Sequence, residues 1–311
     1  MKKLCFAVLT VLAFVGCNEV NVELDEASCG EEIQLTVNLP DAVTKVTGTA
    51  SDSKIASIQI FVFDKNGIYE TSSSGSGSSL SLTCTSGEKQ IVALANAPTV
   101  TGIDNISKLR SKTSDLKDCT ASSIVMAGEV RKTLTASSTI SMSVERLAAK
   151  VAVAQVKPDF ELAQHKQLSF KVKAIYLINV AGDKAYLSAN TPSVWYNKAK
   201  YISETSPAFL YDAVTAGEVA SGSAYTKEHY FYCYPNTTST KTRLVVEAEV
   251  GGYTYYYPVT LNSVAANTSY TYNLTITRLG SESPDVPVED GTVKFTVTVK
   301  DWVQQNVSET I

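Results

Sequence analysis

The sequence predicts an all-β protein made of two β-sandwich domains in tandem, and three observations lead there. Ser, Thr and Val are abundant and 16 Tyr are present, residue types that suit a pleated, half-buried surface. Short apolar runs with turn residues between them recur at sandwich spacing, while long helical patterns are scarce. The chain has 311 residues and is 44% hydrophobic, enough to bury two ordinary cores. The boundary is expected near Glu145, giving domains over 31–145 and 146–311.

The first element is a leader. Lys2 and Lys3 form a basic start, and Leu4 to Val15 form an apolar stretch too short to span a membrane. Phe14-Val15-Gly16-Cys17 follows, with a small residue ahead of the Cys. The pattern resembles a bacterial lipoprotein signal over 1–16, which makes Cys17 the lipidated first residue. Polar, acidic residues then read as a tether over 17–30. No later apolar run reaches the roughly 20 residues of a membrane helix, so the mature chain is expected to be exported and at most lipid-held.

The first strand comes next. Ile33, Leu35, Val37 and Leu39 alternate with Gln34, Thr36 and Asn38, a period of two with one buried face. The loop from Asp41 to Gly48 carries Lys45 and Val46. A strand from Ile55 to Phe63 ends in the turn Asp64-Lys65-Asn66-Gly67, where Asn-Gly accepts positive φ. Ser72 to Ser79 is a Ser/Gly run, expected as a flexible hairpin tip or loop. Strands over Leu80–Cys84 and Gln90–Leu94 precede Ala95-Asn96-Ala97-Pro98. Asp104–Asp118 makes the one modest case for a helix in this half, and Thr133–Val144 alternates as a late strand.

In the second half, Lys171–Val180 reads as a strand, and the aromatic stretch Tyr186–Tyr211 as a loop excursion. Strands follow over Glu228–Tyr234, Thr242–Val250, Tyr253–Leu261 and Ser269–Arg278, with Gly251-Gly252 as a tight hairpin between the middle two. Gly280–Gly291 reads as a linker. The last strand alternates Val293, Phe295, Val297 and Val299 with Lys294, Thr296, Thr298 and Lys300, the same binary pattern as the first strand.

Composition speaks against several functions. A net charge of −4 with no basic stripe gives no electrostatic case for nucleic acid. The two His, His165 and His229, are expected at the surface rather than as general bases. No G-x-S-x-G, HExxH or phosphate-binding Gly loop occurs, so an enzyme is not expected, nor any metal or cofactor. Asp159 and Glu161 read as solvated carboxylates. Of six Cys, Cys29, Cys84, Cys119 and Cys233 remain after the leader and Cys17. They allow three pairings, of which Cys84 with Cys119 is favoured. The aromatic rows Tyr253/Tyr255/Tyr257, Tyr270/Tyr272 and Tyr230/Tyr232/Tyr234, with Trp195, fit either cross-strand packing or a sugar-stacking face. Packing is the preferred reading.

Several segments together resemble the fimbrillin families of Bacteroidales, the FimA-like and Mfa-like pilins. They are the lipoprotein leader, Ile60-Phe61-Val62-Phe63-Asp64-Lys65-Asn66-Gly67 and Ile91-Val92-Ala93-Leu94-Ala95-Asn96-Ala97-Pro98. Val125-Met126-Ala127-Gly128, Glu145-Arg146-Leu147-Ala148-Ala149-Lys150-Val151 and Val297-Thr298-Val299-Lys300-Asp301-Trp302 complete the set. The resemblance implies two transthyretin-like sandwiches, export as an outer-membrane lipoprotein, clipping after the first strand and polymerisation by strand exchange.

On that reading Lys45–Val46 is the candidate processing site, where the family pattern has Arg, and a trypsin-like protease is the expected partner. The strand of Ile33, Leu35, Val37 and Leu39 is displaced, and Val293, Phe295, Val297 and Val299 of a neighbour replace it. Expected partners are copies of the chain, related fimbrial subunits and outer-membrane lipid through Cys17. The alternative is a tip or anchor subunit, or a surface adhesin that binds host glycan or protein.

Overall fold

The computed structural model describes residues 30–40, 54–120, 122–288 and 291–301. In the first half, β1 (Glu32–Asn38), β2 (Ser57–Asp64), β3 (Tyr69–Ser76), β4 (Ser79–Thr85) and β5 (Gly87–Ala95) precede the short helix α1 (Ile106–Ser111). After it come β6 (Thr113–Asp115), β7 (Met126–Leu134), β8 (Ser138–Ser141) and β9 (Glu145–Arg146). A three-stranded sheet, β4-β1-β8, faces a five-stranded sheet, β3-β2-β5-β7-β9. Ile33, Leu35, Val37 and Leu39 from the first pack with Ile58, Ile60, Val62, Ile91 and Ala93 from the second.

The five-stranded sheet buries its other face as well. Phe61, Phe63, Val92 and Leu94 pack with Ile103, Ile106, Leu109 and Leu116. Burial on both sides explains why β2 and β5 read as nearly continuous apolar runs rather than clean alternations.

In the second half come β10 (Ala149–Pro158), β11 (Phe170–Ile178), β12 (Val180–Ala181), β13 (Asp183–Ala185), β14 (Trp195–Tyr196) and β15 (Tyr211–Ala213). They are followed by β16 (His229–Cys233), β17 (Arg243–Val250), β18 (Tyr253–Thr260), β19 (Thr268–Ile276) and β20 (Val293–Asp301). Sheet β16-β10-β19-β20 faces sheet β15-β11-β17-β18. Their shared core includes Val151, Phe231, Leu274, Ile175, Val246 and Tyr257.

β9 closes the sheet of the first half, and after two intervening residues β10 enters the sheet of the second. The halves touch through the segment around α1. β6 pairs antiparallel with β13, Tyr234 donates to Ser114 Oγ at 3.0 Å, and Tyr196 donates to Asp115 at 2.5 Å.

Three local expectations need correction. The Ser/Gly run from Ser72 is mostly β3, a ladder strand on the sheet edge whose register runs from Tyr69 to Ser76; only Gly77, at φ +80°, and Ser78 turn. Backbone pairing to β2 holds it despite weak side-chain propensity. The late strand expected over Thr133–Val144 is two strands in different sheets, β7 and β8, because Leu134 and Ile140 close the core from opposite layers. The helix near Asp104–Asp118 is one α-turn over Ile106–Ser111, capped by Asn105, whose side chain accepts from the Lys108 N–H.

Candidate functional site

β1 sits between two partners. It pairs antiparallel with β4 from Glu32↔Thr85 to Asn38↔Ser79 and parallel with β8 from Leu35↔Ser138 to Asn38↔Ser141. Its inward residues are sealed: Leu35 and Val37 are 0% exposed, Leu39 2% and Ile33 7%. The outward residues meet a row of hydroxyls on β4. Thr36 Oγ1 and Ser81 Oγ lie 2.8 Å apart, Ser79 donates to Asn38 Oδ1 at 2.6 Å, and Thr83 donates to Gln34 Oε1 at 3.4 Å. Strands in a sheet lie about 4.8 Å apart, so loss of β1 would leave a gap of about 10 Å between two bare edges.

β20 is the outermost strand of its sheet. It pairs with β19 alone, antiparallel, from Ile276↔Val293 to Thr268↔Asp301. Its apolar row is poorly used there. Phe295 is 48% exposed and Val299 56%, while Val293 and Val297 are half-buried against the core. Tyr272 contacts Phe295 at a ring separation of 5.9 Å.

The base of β20 is tied down. Lys294 Nζ donates to Glu161 at 2.9 Å, and Arg278 approaches the same carboxylate at 3.4 Å. These cations hold Glu161 below the usual carboxylate range, the hydrogen bond from Lys294 being the main cause. Thr277 Oγ1 donates to the Gly291 carbonyl, and the Thr277 N–H to the Thr292 carbonyl at 2.9 Å.

The stretch expected as a plain linker is also pinned. Arg243 bonds Asp285 at 2.7 Å, Asn179 donates to Asp285 at 2.9 Å, and Ser281 exchanges backbone hydrogen bonds with Tyr256. The approach to the terminal strand is therefore held at Asp285 and again at Gly291, whose φ is +83°.

Glu161 is exposed, as the sequence suggests, but it is paired rather than merely solvated. Its partners arrive from residues 117 and 133 positions away, and local pattern cannot show them. His229, by contrast, is buried rather than superficial, at 1% exposure. Its Nδ1 meets Asp212 at 2.5 Å and its Nε2 meets the Tyr225 hydroxyl at 2.7 Å, because the chain between β15 and β16 folds back over β10.

Cys84 and Cys119 do not pair. Both are buried free thiols, as is Cys233. Cys84 lies between the first-half sheets, and Cys119 lies in the cluster on the far side of β2 and β5, so a sheet separates them. Burial pushes the Cys119 thiol up to about 11 and Cys233 up to about 12, which keeps both protonated and unreactive at neutral pH. Cys17, Cys29, Lys45 and Val46 lie outside the described residues.

The aromatic rows are mostly interior. Tyr257, Tyr270, Tyr272, Tyr232 and Tyr234 are buried, while Tyr253 is 73% exposed. Among the described residues no group of three or more His, Cys, Asp and Glu is arranged to hold a metal ion, and no helix is long and apolar enough to cross a membrane.

Residues 33–159, which contain β1, β4 and β8, match the family model described as Major fimbrial subunit protein (FimA). That span is similar to a fimbrillin subunit. No curated protein sequence matches the chain. The fold resembles a crystal structure from Bacteroides eggerthii described as a candidate cell adhesion protein, at TM-score 0.70 and 19% identity, covering 89% of this chain and 98% of that one. It also resembles the fimbrilin of Porphyromonas gingivalis, at TM-score 0.64 and 16% identity, with 88% and 98% covered. The tip fimbrial protein Mfa3 of the same species aligns at TM-score 0.56 and 14% identity, over 88% of this chain and all of that truncated one. At these identities the likeness is one of fold. The fimbrillin resemblance and the all-β architecture read from the sequence both hold.

Proposed function

We propose that this chain is a structural subunit of a cell-surface fimbria and polymerises by strand exchange. In this reading it reaches the outer membrane as a lipoprotein anchored through Cys17, and a trypsin-like protease clips it after Lys45. β1 then leaves, and β20 of a neighbouring copy takes its place. The observation that carries the reading is the contrast between the two alternating strands. The four apolar side chains of β1 are sealed in a two-sided groove, while two of the four on β20 are about half exposed.

Moving Phe295 and Val299 from half exposure to full burial contributes about 1.5–3 kcal/mol gross. The strand also gains a second hydrogen-bonding edge, since β1 has two ladder partners and β20 has one. Main-chain bonds supply affinity in such additions, and alternate side chains supply fit. Before clipping, β1 covers both edges and blocks entry, so proteolysis is the trigger.

Two substitutions test the proposal. Lys45→Ala should leave full-length, unpolymerised precursor, and Val297→Asp should stop assembly after clipping. Normal fibres from both variants would refute the proposal. An intact N-terminus on functional surface protein would instead favour the tip or anchor role, and retained monomer that binds glycan would favour the adhesin.

A further inference from the structure

The two strands constrain how they replace one another. We propose that Gly291 and Asp301 frame the terminal strand so that it enters the groove in one register. Val293 takes the place of Ile33, Phe295 of Leu35, Val297 of Val37 and Val299 of Leu39. The inference rests on the strand-exchange reading above and adds the residues that set its specificity.

The incoming strand keeps the direction of β1, antiparallel to β4 and parallel to β8. A slide by one residue turns Lys294, Thr296, Thr298 and Lys300 inward, placing two ammonium groups in an apolar core. A slide by two in one direction puts Asp301 at the Leu39 position, which is 2% exposed, and buries a carboxylate among Leu and Ile. A slide by two the other way puts Gly291 at the Ile33 position, leaving a void beside Cys84, and drives Phe295 into the Val37 site. In that direction, only the proposed register places four apolar residues on four sealed positions.

The outward face agrees. Thr296 comes to lie beside Ser81, where Thr36 now makes its hydroxyl contact at 2.8 Å. Thr298 lies beside Ser79, the present donor to Asn38, and Lys294 lies beside Thr83. In the parked position neither framing residue is stressed, since Gly291 and Asp301 are both exposed there.

The native thiol of Cys84 makes the register measurable, because Ile33 is its direct cross-strand partner. In fibres grown from the clipped subunit carrying Val293→Cys, mild oxidation should link successive subunits in a ladder on non-reducing gels. The ladder should vanish when Cys84→Ser is added. Phe295→Cys and Gly291→Cys, which face Cys84 only after a slide, should give no ladder. Adding Asp301→Leu to Phe295→Cys should let the slid register appear as a new ladder. Should a single cysteine block assembly, the same trap is read in mixed fibres with the unmodified subunit.

A ladder from Phe295→Cys or Gly291→Cys in place of Val293→Cys would overturn the register while leaving exchange standing. No gain on adding Asp301→Leu would overturn the framing role of Asp301. Fibres in which none of the three cysteines traps Cys84 would overturn both the register and the exchange reading beneath it.

Discussion

Lys294 and Glu161 are joined at 2.9 Å, and through that contact the terminal strand is fastened to the loop that follows β10. Arg278 shares the carboxylate from the end of β19. One acidic residue therefore holds both the strand that would leave and the strand it would leave behind.

The pair makes the attachment of β20 sensitive to acid. Lys294, and after it Arg278, hold Glu161 below its ordinary pKa, so the folded state favours the ionised form. The contribution is fully present above the ordinary carboxylate value and is lost as pH falls through the lowered folded value. Exchange protection of the β20 amides, corrected for intrinsic rates, should fall between pH 6 and pH 3. Glu161→Gln should give the lower protection already at pH 7. The change should be no more than several-fold, because the pair is exposed. Equal protection in both proteins at every pH would show that the contact holds nothing.

Asn96 should prove a stability centre of the first half. Its backbone is left-handed at φ +57°. Its side chain accepts from the Ala56 N–H at 2.8 Å and donates to the carbonyls of Lys54 and Ile124 at 2.8 and 3.0 Å. Asn96→Ala should cost about 1 kcal/mol for the left-handed backbone and about 1–3 kcal/mol for an orphaned buried carbonyl. Asn96→Gly should recover only the first part. Urea unfolding of both variants separates the two, and equal midpoints for the two would remove the backbone component.

The tyrosines of β18 should behave as a gradient. Tyr253 is open to solvent and Tyr257 is sealed, on the same strand face. Tyr257→Ala should cost about 3–5 kcal/mol, while Tyr253→Ala should stay within about 0.5 kcal/mol. Thermal unfolding reads both. A Tyr253→Ala variant as unstable as Tyr257→Ala would mean that the row packs along its whole length.

The sequence alone determined what repeats locally. Alternation at Ile33, Leu35, Val37 and Leu39 placed a half-buried strand, and all four residues are interior. Asn66-Gly67 and Gly251-Gly252 marked turns, with positive φ at Gly67, Gly251 and Gly252. The fimbrillin pattern was legible because its segments lie in a fixed order along the chain.

Tertiary structure decided everything that depends on which element lies across from which. Val293 to Val299 carries the same binary pattern as β1, yet it forms a half-exposed edge, because a strand's burial depends on its neighbours and not on its own period. Ser72 to Ser76 became a strand through pairing to β2, against its composition. Cys84 and Cys119 were set on opposite sides of a sheet, a separation that spacing does not encode. His229 and Glu161 gained partners far away in the chain, and the electrostatics that set their roles arise only once those partners are brought within hydrogen-bonding reach.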